Sequence, residues 1–390
     1  MRGGVASPHP RVLQVMEATI GGTKRHLADL SAGLRAIGWD VEVACPRVRD
    51  QAHGDVSFWD DLQAAGVPAH ELPMRRSPVA GTNAAAVLKL AALLCRGRYA
   101  IVHAHSSIAG AVARPAALLC PPRPKVVYTP HGFAFLTPEG AGRRRLYLGI
   151  ERALGRVTDR LIAVSPTEAE AAVSHRIVPA ARVVTIPLGI VAGEFPSPER
   201  AAEVRRREGW DDAPVVGTVA RMTPQKDPST WLRTAARLAE IRPDVRFVWV
   251  WGAELEEAVR REASKLRLDS RLRFLGYRPD ARDLIAAFDV FLLTSRFEGL
   301  PYTVIEALAS ATPVVATDVV GTRDVVRHSK TGLLAQPGDP EALAAHVARL
   351  LDAPAEARRL AAAGQRDVLS RFSVERMVER TAALYREVCA

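Results

Sequence analysis

The chain has 390 residues, of which 48% are hydrophobic. A chain of this length is too large for a single hydrophobic core, which predicts two domains. Its four cysteines (Cys45, Cys95, Cys120 and Cys389) show no C-x-x-C spacing, which argues against a disulfide framework or a zinc-thiolate site and favours a reduced, cytoplasmic protein. The formal net charge of +10 favours an anionic partner, which could be a nucleic acid, a phospholipid surface or a phosphorylated small molecule.

Short β-branched runs alternate with helical patterns in the first half of the chain. Near-continuous apolar strands separated by helices are typical of a parallel sheet covered on both faces. The segment from Thr23 to Ile37 carries leucines on one helical stripe, which predicts a helix that packs on the sheet. The predicted strands lie in RVLQVM from residue 11, VEVACP from 41, AIVHAHS from 100, KVVYTPHG from 125, RLIAVS from 160 and RVVTIPLGI from 182.

The alternation restarts after PLGIVAGEFPSP (187–198), which places a domain boundary near residue 190. We therefore predict an α/β fold with an N-terminal domain at 1–190, a C-terminal domain at 191–372 and a final helix at 373–390 that could lie back across the first domain. Open α/β sheets bind ligands at the carboxyl ends of their strands, so a cleft between the domains is the expected site. The later strands lie in APVVGTVAR from 213, VRFVWVWG from 245, LRFLGYR from 272, VFLLTS from 290 and TPVVAT from 312.

Glycines or cations follow the first strand of each predicted domain. Gly21 and Gly22 precede the first helix, where glycine lets the backbone approach a phosphate and the helix N-terminus offers free N–H groups. A plain strand-to-helix turn explains this pair equally well. Arg221 and Lys226, in VARMTPQKD, can bind adjacent phosphates of a diphosphate. Without further context, the simpler interpretation is that both are solvated cations of a surface loop.

Two glutamates, Glu298 and Glu306, flank the entrance of a predicted helix. Carboxylates can accept paired hydrogen bonds from vicinal hydroxyls, and helix-end amides can meet a phosphate or a sugar. A helix-start carboxylate explains Glu298 adequately. It does not explain Glu306, which lies in an apolar helix with no obvious basic i+4 partner. The helix entrance is formed by Gly299, Leu300 and Pro301, with Pro301 suited to the first helical position.

The combined pattern resembles the family 4 retaining glycosyltransferases of the GT-B fold, which has two Rossmann-like domains. The pattern consists of E-x7-E after an apolar strand, the following ALASATPVVAT, the loop cations and the paired glycines. The resemblance spans roughly residues 11–385. The resemblance implies that Glu306 holds the donor ribose hydroxyls and that Glu298 contacts the transferred sugar. It also implies that the Gly299–Pro301 segment presents backbone amides and that Arg221 and Lys226 neutralise the leaving diphosphate. Gly22 would approach this diphosphate from the other domain.

His131, in YTPHGF, ends a predicted strand where this family commonly has a histidine that faces the donor sugar. His103 and His105 are rival candidates, although their alternating positions suit packing on one sheet face. The chain departs from the family at 321–324, where it reads GTRD and many relatives carry Gly-x-x-Glu. That change leaves backbone contacts with a phosphate intact but alters the acidic side chain.

The resemblance implies transfer of a hexosyl or N-acetylhexosaminyl group from a nucleotide diphosphate sugar, with a UDP-sugar such as UDP-GlcNAc as the expected donor. The expected acceptor is a polysaccharide or lipid-linked glycan, and a small soluble natural product is the alternative. No D-x-D motif occurs, so we predict no metal and no cofactor, with fixed cations and helix-end amides stabilising the leaving diphosphate. No nucleophile is identified, which favours same-face attack by the acceptor.

Other functions fit the pattern less well. A glycoside hydrolase would use the carboxylate pair but has no role for the loop cations. A nucleotide-sugar epimerase and a non-catalytic nucleotide-sugar sensor stay open. A nicotinamide dehydrogenase requires G-x-G-x-x-G after the first strand, where the chain reads EATIGGTKRH. Nucleic-acid binding lacks a recognised module, and we expect no nucleic-acid partner.

A basic helix is predicted in RRRLYLGIERALGRVTDR (143–160), where Arg145, Arg152 and Arg156 share one stripe beside an apolar one. Such a helix could lie on anionic headgroups and deliver a lipid-linked acceptor. A core-packed helix with a solvated charged face fits equally well. No signal core or membrane-length apolar run occurs, so we expect a cytoplasmic protein with peripheral contact at the inner membrane face as an option. The cations nearest the helix start are Arg143, Arg144 and Arg145.

Overall fold

The computed structural model describes residues 9–47, 57–75, 81–137, 140–210 and 213–390. The chain divides into two compact units, one formed by Met1–Gly189 with Ser373–Ala390 and the other by Ile190–Phe372. Each unit is built on a parallel sheet whose strands alternate with helices, so both have the α/β architecture that the sequence predicts.

The first unit has a seven-stranded parallel sheet with the strand order β3-β2-β1-β4-β5-β6-β7. The strands are β1 Val12–Met16, β2 Val41–Cys45, β3 Ala69–Glu71, β4 Ile101–His105, β5 Lys125–Thr129, β6 Arg160–Ala163 and β7 Val183–Thr185. The helices are α1 Gly21–Ala36, α2 Phe58–Ala64, α3 Gly81–Gly97, α4 Ser107–Leu118, α5 Ala141–Gly155 and α6 Pro166–Ser174, with the C-terminal α15 Val374–Cys389.

The second unit has a six-stranded parallel sheet with the strand order β10-β9-β8-β11-β12-β13. Its strands are β8 Val215–Val219, β9 Arg246–Val250, β10 Leu272–Gly276, β11 Val290–Leu293, β12 Val314–Thr317 and β13 Leu333–Ala335. Its helices are α7 Pro198–Glu208, α8 Pro228–Ile241, α9 Glu256–Lys265, α10 Ala281–Ala286, α11 Tyr302–Ala309, α12 Thr322–Val325, α13 Pro340–Asp352 and α14 Pro354–Arg371.

The boundaries of three helices differ from the sequence-based predictions. Helix α1 begins at Gly21 rather than at Thr23, and α5 ends at Gly155, so Arg156 lies beyond it. Pro301 is not the first residue of α11 but the extended residue before it, with φ −76° and ψ 104°. The Pro301 carbonyl accepts hydrogen bonds from the first turn of the helix, which is the role of a cap residue.

Strand β1 and its neighbours are buried over their full length, as a parallel sheet covered on both faces requires. Polar side chains interrupt this apolar core near the carboxyl ends of the strands. Gln14 of β1 is in register with His103 of β4, and His105 is in register with Thr129 of β5. All four residues are at least 99% buried, so they need partners inside the unit.

Helix α15 supplies one of those partners, because it packs on α1 within the first unit. A Cβ atom on Gly33 of α1 would lie 2.4 Å from Val378 Cγ2, so the two helices approach closely at that glycine. The Tyr385 hydroxyl of α15 receives a hydrogen bond from Gln14 Nε2 at 2.9 Å and lies 2.6 Å from His103 Nδ1. The end of the chain therefore completes the polar cluster of the first sheet.

A buried ion pair links α4 and α5. Arg114 Nη2 donates to Glu151 Oε2 at 2.9 Å, and these side chains are 0% and 4% exposed. The Tyr128 hydroxyl donates to the other oxygen of Glu151 at 2.8 Å. The rest of α5 is largely exposed, including Leu146 at 53%, although Tyr147 and Leu148 pack on the hydrophobic core of the unit. Within the described part of the chain, we find no helix with the length and apolarity to span a bilayer.

Candidate functional site

The loop after β8 carries both predicted phosphate-binding cations and is braced from two sides. Its Met222 N–H donates to Gly252 in the loop after β9, and the carbonyl of Gln225 accepts from the Arg296 N–H after β11. The loop ends at Asp227, a left-handed residue with φ 48° whose carboxylate caps α8. Backbone hydrogen bonds thus hold this loop at the carboxyl edge of neighbouring strands.

Lys226 and Glu298 meet at this edge. Lys226 Nζ lies 2.5 Å from Glu298 Oε1, which also accepts from Ser295 Oγ at 2.5 Å. Glu298 Oε2 accepts a longer bond of 3.4 Å from Gln225 Nε2. Because Glu298 is only 6% exposed, this carboxylate is held in one orientation by a cation and two neutral donors. Glu298 makes no capping hydrogen bond to α11, whose N-cap residue is Pro301.

Arg221 and Glu306 each have an ionic partner from another element. Arg221 Nη2 lies 3.4 Å from Glu254 Oε2, a carboxylate of the loop after β9. Glu306 Oε1 lies 3.6 Å from Nε of Arg282 in α10, and its side chain is 12% exposed. The basic partner that Glu306 lacks within its own helix is therefore supplied by a different helix.

Gly321 packs against the turn that carries Glu298 and Gly299. It has φ +81°, and a Cβ atom there would lie 2.6 Å from the carbonyl oxygen of Gly299 and 2.7 Å from that of Glu298. The Glu298 N–H donates to the Val320 carbonyl, which fixes the two segments together. Gly321 is thus required both by its backbone conformation and by close approach.

In the first unit, Gly21 begins α1 in a left-handed conformation with φ +69°. A Cβ atom on Gly21 would have no heavy atom within 4 Å, so the space beside it is open. The residue before it, Ile20, offers no side-chain cap, and the first N–H groups of α1 receive no bond from that position. Gly21 and Gly22 therefore present a helix N-terminus suited to an anion.

His131 follows β5 with φ +53° and is joined to a chain of hydrogen bonds. Gln14 Nε2 donates to the Tyr385 hydroxyl, so the other amide atom, Gln14 Oε1, lies 2.8 Å from His105 Nε2. Because an amide oxygen only accepts hydrogen bonds, His105 Nε2 carries the ring proton. His105 Nδ1 is then an acceptor, and His131 Nε2 donates to it at 3.1 Å. In the neutral ring this leaves the lone pair of His131 on Nδ1.

Burial keeps this cluster neutral. The pKa of His131 is well below its usual value, first because burial disfavours the charged ring and then because His26 and His103 are close. Burial and neighbouring histidines likewise lower the pKa of His105, and burial alone lowers the pKa of His26 to about 3. His103 is fully engaged by Tyr385 and Thr129, which supports its interpretation as a packing residue.

Of the predicted residues, the structure brings Arg221, Lys226 and Glu298 to one edge of the second sheet, with Glu306 in the helix that follows. Gly21, Gly22 and His131 belong to the first unit. The sequence did not identify the partners that orient these groups. Ser295 and Gln225 are close in sequence to Glu298 and Lys226 and could have been suspected, whereas Arg282, Gln14 and Tyr385 carry no local signal.

Comparison with known proteins gives matches across both units. Residues 20–194 match the model described as glycosyltransferase family 4, and residues 213–353 match the model described as glycosyl transferases group 1. The D-inositol 3-phosphate glycosyltransferase of Thermobispora bispora is 30% identical over 395 residues, covering 94% of this chain and 90% of the relative. The UDP-Gal:alpha-D-GlcNAc-diphosphoundecaprenol alpha-1,3-galactosyltransferase of Escherichia coli is 28% identical over 271 residues, covering 68% and 70%. Anabaena HepE, solved in complex with UDP and glucose, covers 97% of this chain and 100% of its own with 22% identity and a TM-score of 0.83.

Proposed function

Because the chain belongs to glycosyltransferase family 4, we propose that it is a retaining enzyme that moves a hexosyl or N-acetylhexosaminyl group from a UDP-sugar to an acceptor hydroxyl. The observation that carries this proposal is the meeting of Lys226 with Glu298 beside Arg221 at one edge of the second sheet. Cations suit a diphosphate and an oriented carboxylate suits sugar hydroxyls, so the two halves of a nucleotide sugar find complementary groups there.

Cleavage of the anomeric C–O bond leaves positive charge on the sugar and adds negative charge to the departing diphosphate. Lys226 and Arg221 stabilise that growing charge more than they stabilise the bound donor, which lowers the barrier. The acceptor attacks from the face that the diphosphate leaves, and a diphosphate oxygen takes the acceptor proton. Glu306 holds the ribose hydroxyls, and the Gly299–Pro301 turn offers the backbone N–H groups of Gly299 and Leu300, since Pro301 has none.

Gly21, Gly22 and His131 of the first unit stay predictions for contact with the donor. The open N-terminus of α1 supports a phosphate contact at the glycines. The lone pair on His131 Nδ1 supports acceptance of a hydrogen bond from a sugar hydroxyl. We predict no divalent metal for the diphosphate, in keeping with the missing D-x-D motif.

A lipid-linked or polysaccharide acceptor is favoured because the Escherichia coli relative is named for a diphosphoundecaprenol acceptor. A small soluble acceptor is the second candidate, since the Thermobispora relative is named for D-inositol 3-phosphate. The test is to rank UDP-sugars by thermal shift and then to measure UDP release with and without acceptors. A bound donor at 100 times its Kd should stabilise the fold by about 2.7 kcal/mol. Donor conversion that no acceptor accelerates would contradict transfer and favour an epimerase, and donor binding without any turnover would favour a sensor.

Substitution of Gly321 tests the turn that carries Glu298. We expect Gly321→Ala to lower kcat by about 100-fold, because the new methyl group pushes Glu298 and Gly299 away from their present positions by a fraction of an ångström or more. The matched control is Gly338→Ala, at a glycine with a similar φ of +78° where the added Cβ atom would meet nothing within 4 Å. Equal kcat values for the two variants, measured by UDP release, would contradict the role of this contact.

We also propose that α5 makes peripheral contact with anionic membrane, since the start of this helix, including Arg143 to Arg145, is exposed. Replacing Arg143, Arg144 and Arg145 with serine should weaken binding to phosphatidylserine vesicles by about 100-fold, at about 1 kcal/mol per cation. A matched variant with the same change in net charge replaces the exposed Arg358, Arg359 and Arg366 of α14. Equal sedimentation of both variants with the vesicles would refute membrane contact through α5.

A further inference from the structure

Three histidines of the first unit form a compact imidazole cluster. One ring nitrogen from each of His26, His105 and His131 lies within 4.8 Å of the other two. We propose that these three side chains bind one divalent transition-metal ion of the zinc class. Imidazole nitrogen is a preferred ligand of such ions, and three protein ligands with an open fourth position is a common arrangement for an exchangeable zinc ion.

The distances within the cluster suit such an ion. Ligands about 2.0–2.1 Å from a tetrahedral zinc ion lie about 3.3 Å from each other. His105 Nδ1 and His131 Nε2 are 3.1 Å apart, close to that separation, and both rings must turn from their mutual hydrogen bond toward the ion. The distances to His26 must shorten by at most about 1.5 Å.

His26 itself gives an independent reason to expect a ligand. Its side chain is 4% exposed, and its Nδ1 has no hydrogen-bond partner among the described residues. A buried polar atom without a partner is costly, and the ring is packed edge-on against His131 with centroids 4.7 Å apart. As the ligand atom of His26, Nδ1 would gain from a bound ion the partner that it lacks.

The outer contacts of the cluster match those of known metal sites. A ligand histidine usually donates its second N–H to an oxygen, which fixes the ring and the tautomer. His105 does so through Nε2 to Gln14 Oε1, leaving Nδ1 with its lone pair inside the cluster. His131 needs one change: its proton moves from Nε2 to Nδ1 as the metal binds, so the ring stays neutral. His131 is partly exposed, which gives the ion and a water ligand access.

The consequence for activity rests on the proposed function of His131. A metal ion on Nε2 displaces the ring proton to Nδ1, so Nδ1 can no longer accept a hydrogen bond from a sugar hydroxyl. Bound metal is therefore expected to inhibit transfer reversibly, and a chelator should restore it. This site is chemically distinct from a magnesium site on a diphosphate, which would require oxygen ligands.

Metal binding can be tested on the full-length protein without donor or acceptor, so its outcome is independent of the transfer reaction. The chelator-treated protein is titrated with ZnCl₂ by calorimetry and with CoCl₂ by visible absorption. We expect one ion per chain in the wild type, and we expect bound Co²⁺ to show the visible absorption bands of four-coordinate cobalt. His26→Leu should weaken binding by at least about 100-fold, and Gln14→Met by about 10- to 100-fold.

The matched control is His175→Ala, which removes a histidine of the same unit outside the cluster and should bind zinc as the wild type does. If His26→Leu fails to fold by circular dichroism, His105→Asn replaces it with the same expected loss. Zinc binding that is equal in the wild type and in either cluster variant would overturn the proposal. Zinc binding without inhibition of transfer would keep the site but refute the assigned role of His131.

Discussion

Lys226→Met is expected to lower the kcat of sugar transfer by about 100- to 1,000-fold. The substitution keeps most of the side-chain length and removes the positive charge that faces the leaving diphosphate in the proposed mechanism. Removing one preoriented donor from a developing anion typically costs this much. Because the charge grows in the transition state, kcat should fall more than the affinity for the donor. The measurement is steady-state UDP release with the donor that the thermal-shift ranking identifies.

Two further variants separate this effect from damage to the fold. Lys226→Met leaves the buried Glu298 without its cation, so a comparison of the melting temperatures of Lys226→Met and Lys226→Met/Glu298→Gln shows whether the unpaired carboxylate destabilises the fold. Lys265→Met removes an exposed lysine at the end of α9 and should leave kcat unchanged. A Lys226→Met enzyme whose kcat stays within about threefold of the wild type would contradict the assigned role.

Glu151→Gln is expected to destabilise the first unit by about 3–5 kcal/mol. Glutamine keeps the shape and the acceptor for Tyr128 but leaves the guanidinium of Arg114 buried without a counter-charge. Arg114 Nε also donates to the neutral Gly110 carbonyl at 2.8 Å, and its Nη1 lacks a hydrogen-bond partner within the described residues, so no second carboxylate compensates for the lost charge. In a unit of this size the melting transition should fall by on the order of 10 °C, measured by calorimetry.

A double variant provides the decisive control for this pair. Arg114→Met/Glu151→Gln removes the stranded charge and should recover most of the lost stability, because the penalty comes from the unpaired cation. Glu170→Gln, at an exposed carboxylate of α6, should change stability by less than about 0.5 kcal/mol. If Glu151→Gln is no less stable than Glu170→Gln, the buried pair does not have the energetic role assigned to it.

The fold could largely be read from the sequence, and the likeness to HepE confirms the GT-B class that the strand pattern and the family motifs predict. Parallel strands buried on both faces give apolar runs that stand out between helices. The two strands that were missed, β3 and β13, are three-residue strands at sheet edges. Strand β7 is as short, but it lies in the longer β-branched run RVVTIPLGI, whereas β3 and β13 have no such run and offer too few residues for a periodic signal.

The candidate site was predictable only in part. Arg221, Lys226 and Glu298 follow strands that become neighbours in the sheet, so their convergence follows from topology. The pairing of Glu306 with Arg282 could not be foreseen, because α10 and α11 meet through packing and leave no spacing in the sequence. The tautomer of His131 depends on Tyr385, 254 residues away in the chain, which only the docking of α15 on the first unit reveals.

In the proposed mechanism, the second unit binds the diphosphate of the donor through Arg221 and Lys226 and the ribose through Glu306. A crystal structure of the protein with bound UDP would show both sets of contacts. We predict diphosphate oxygens within hydrogen-bond distance of Arg221 and Lys226, and ribose hydroxyls on the Glu306 carboxylate, which then turns from Arg282. UDP bound with its diphosphate away from both cations, or with its ribose away from Glu306, would contradict the account.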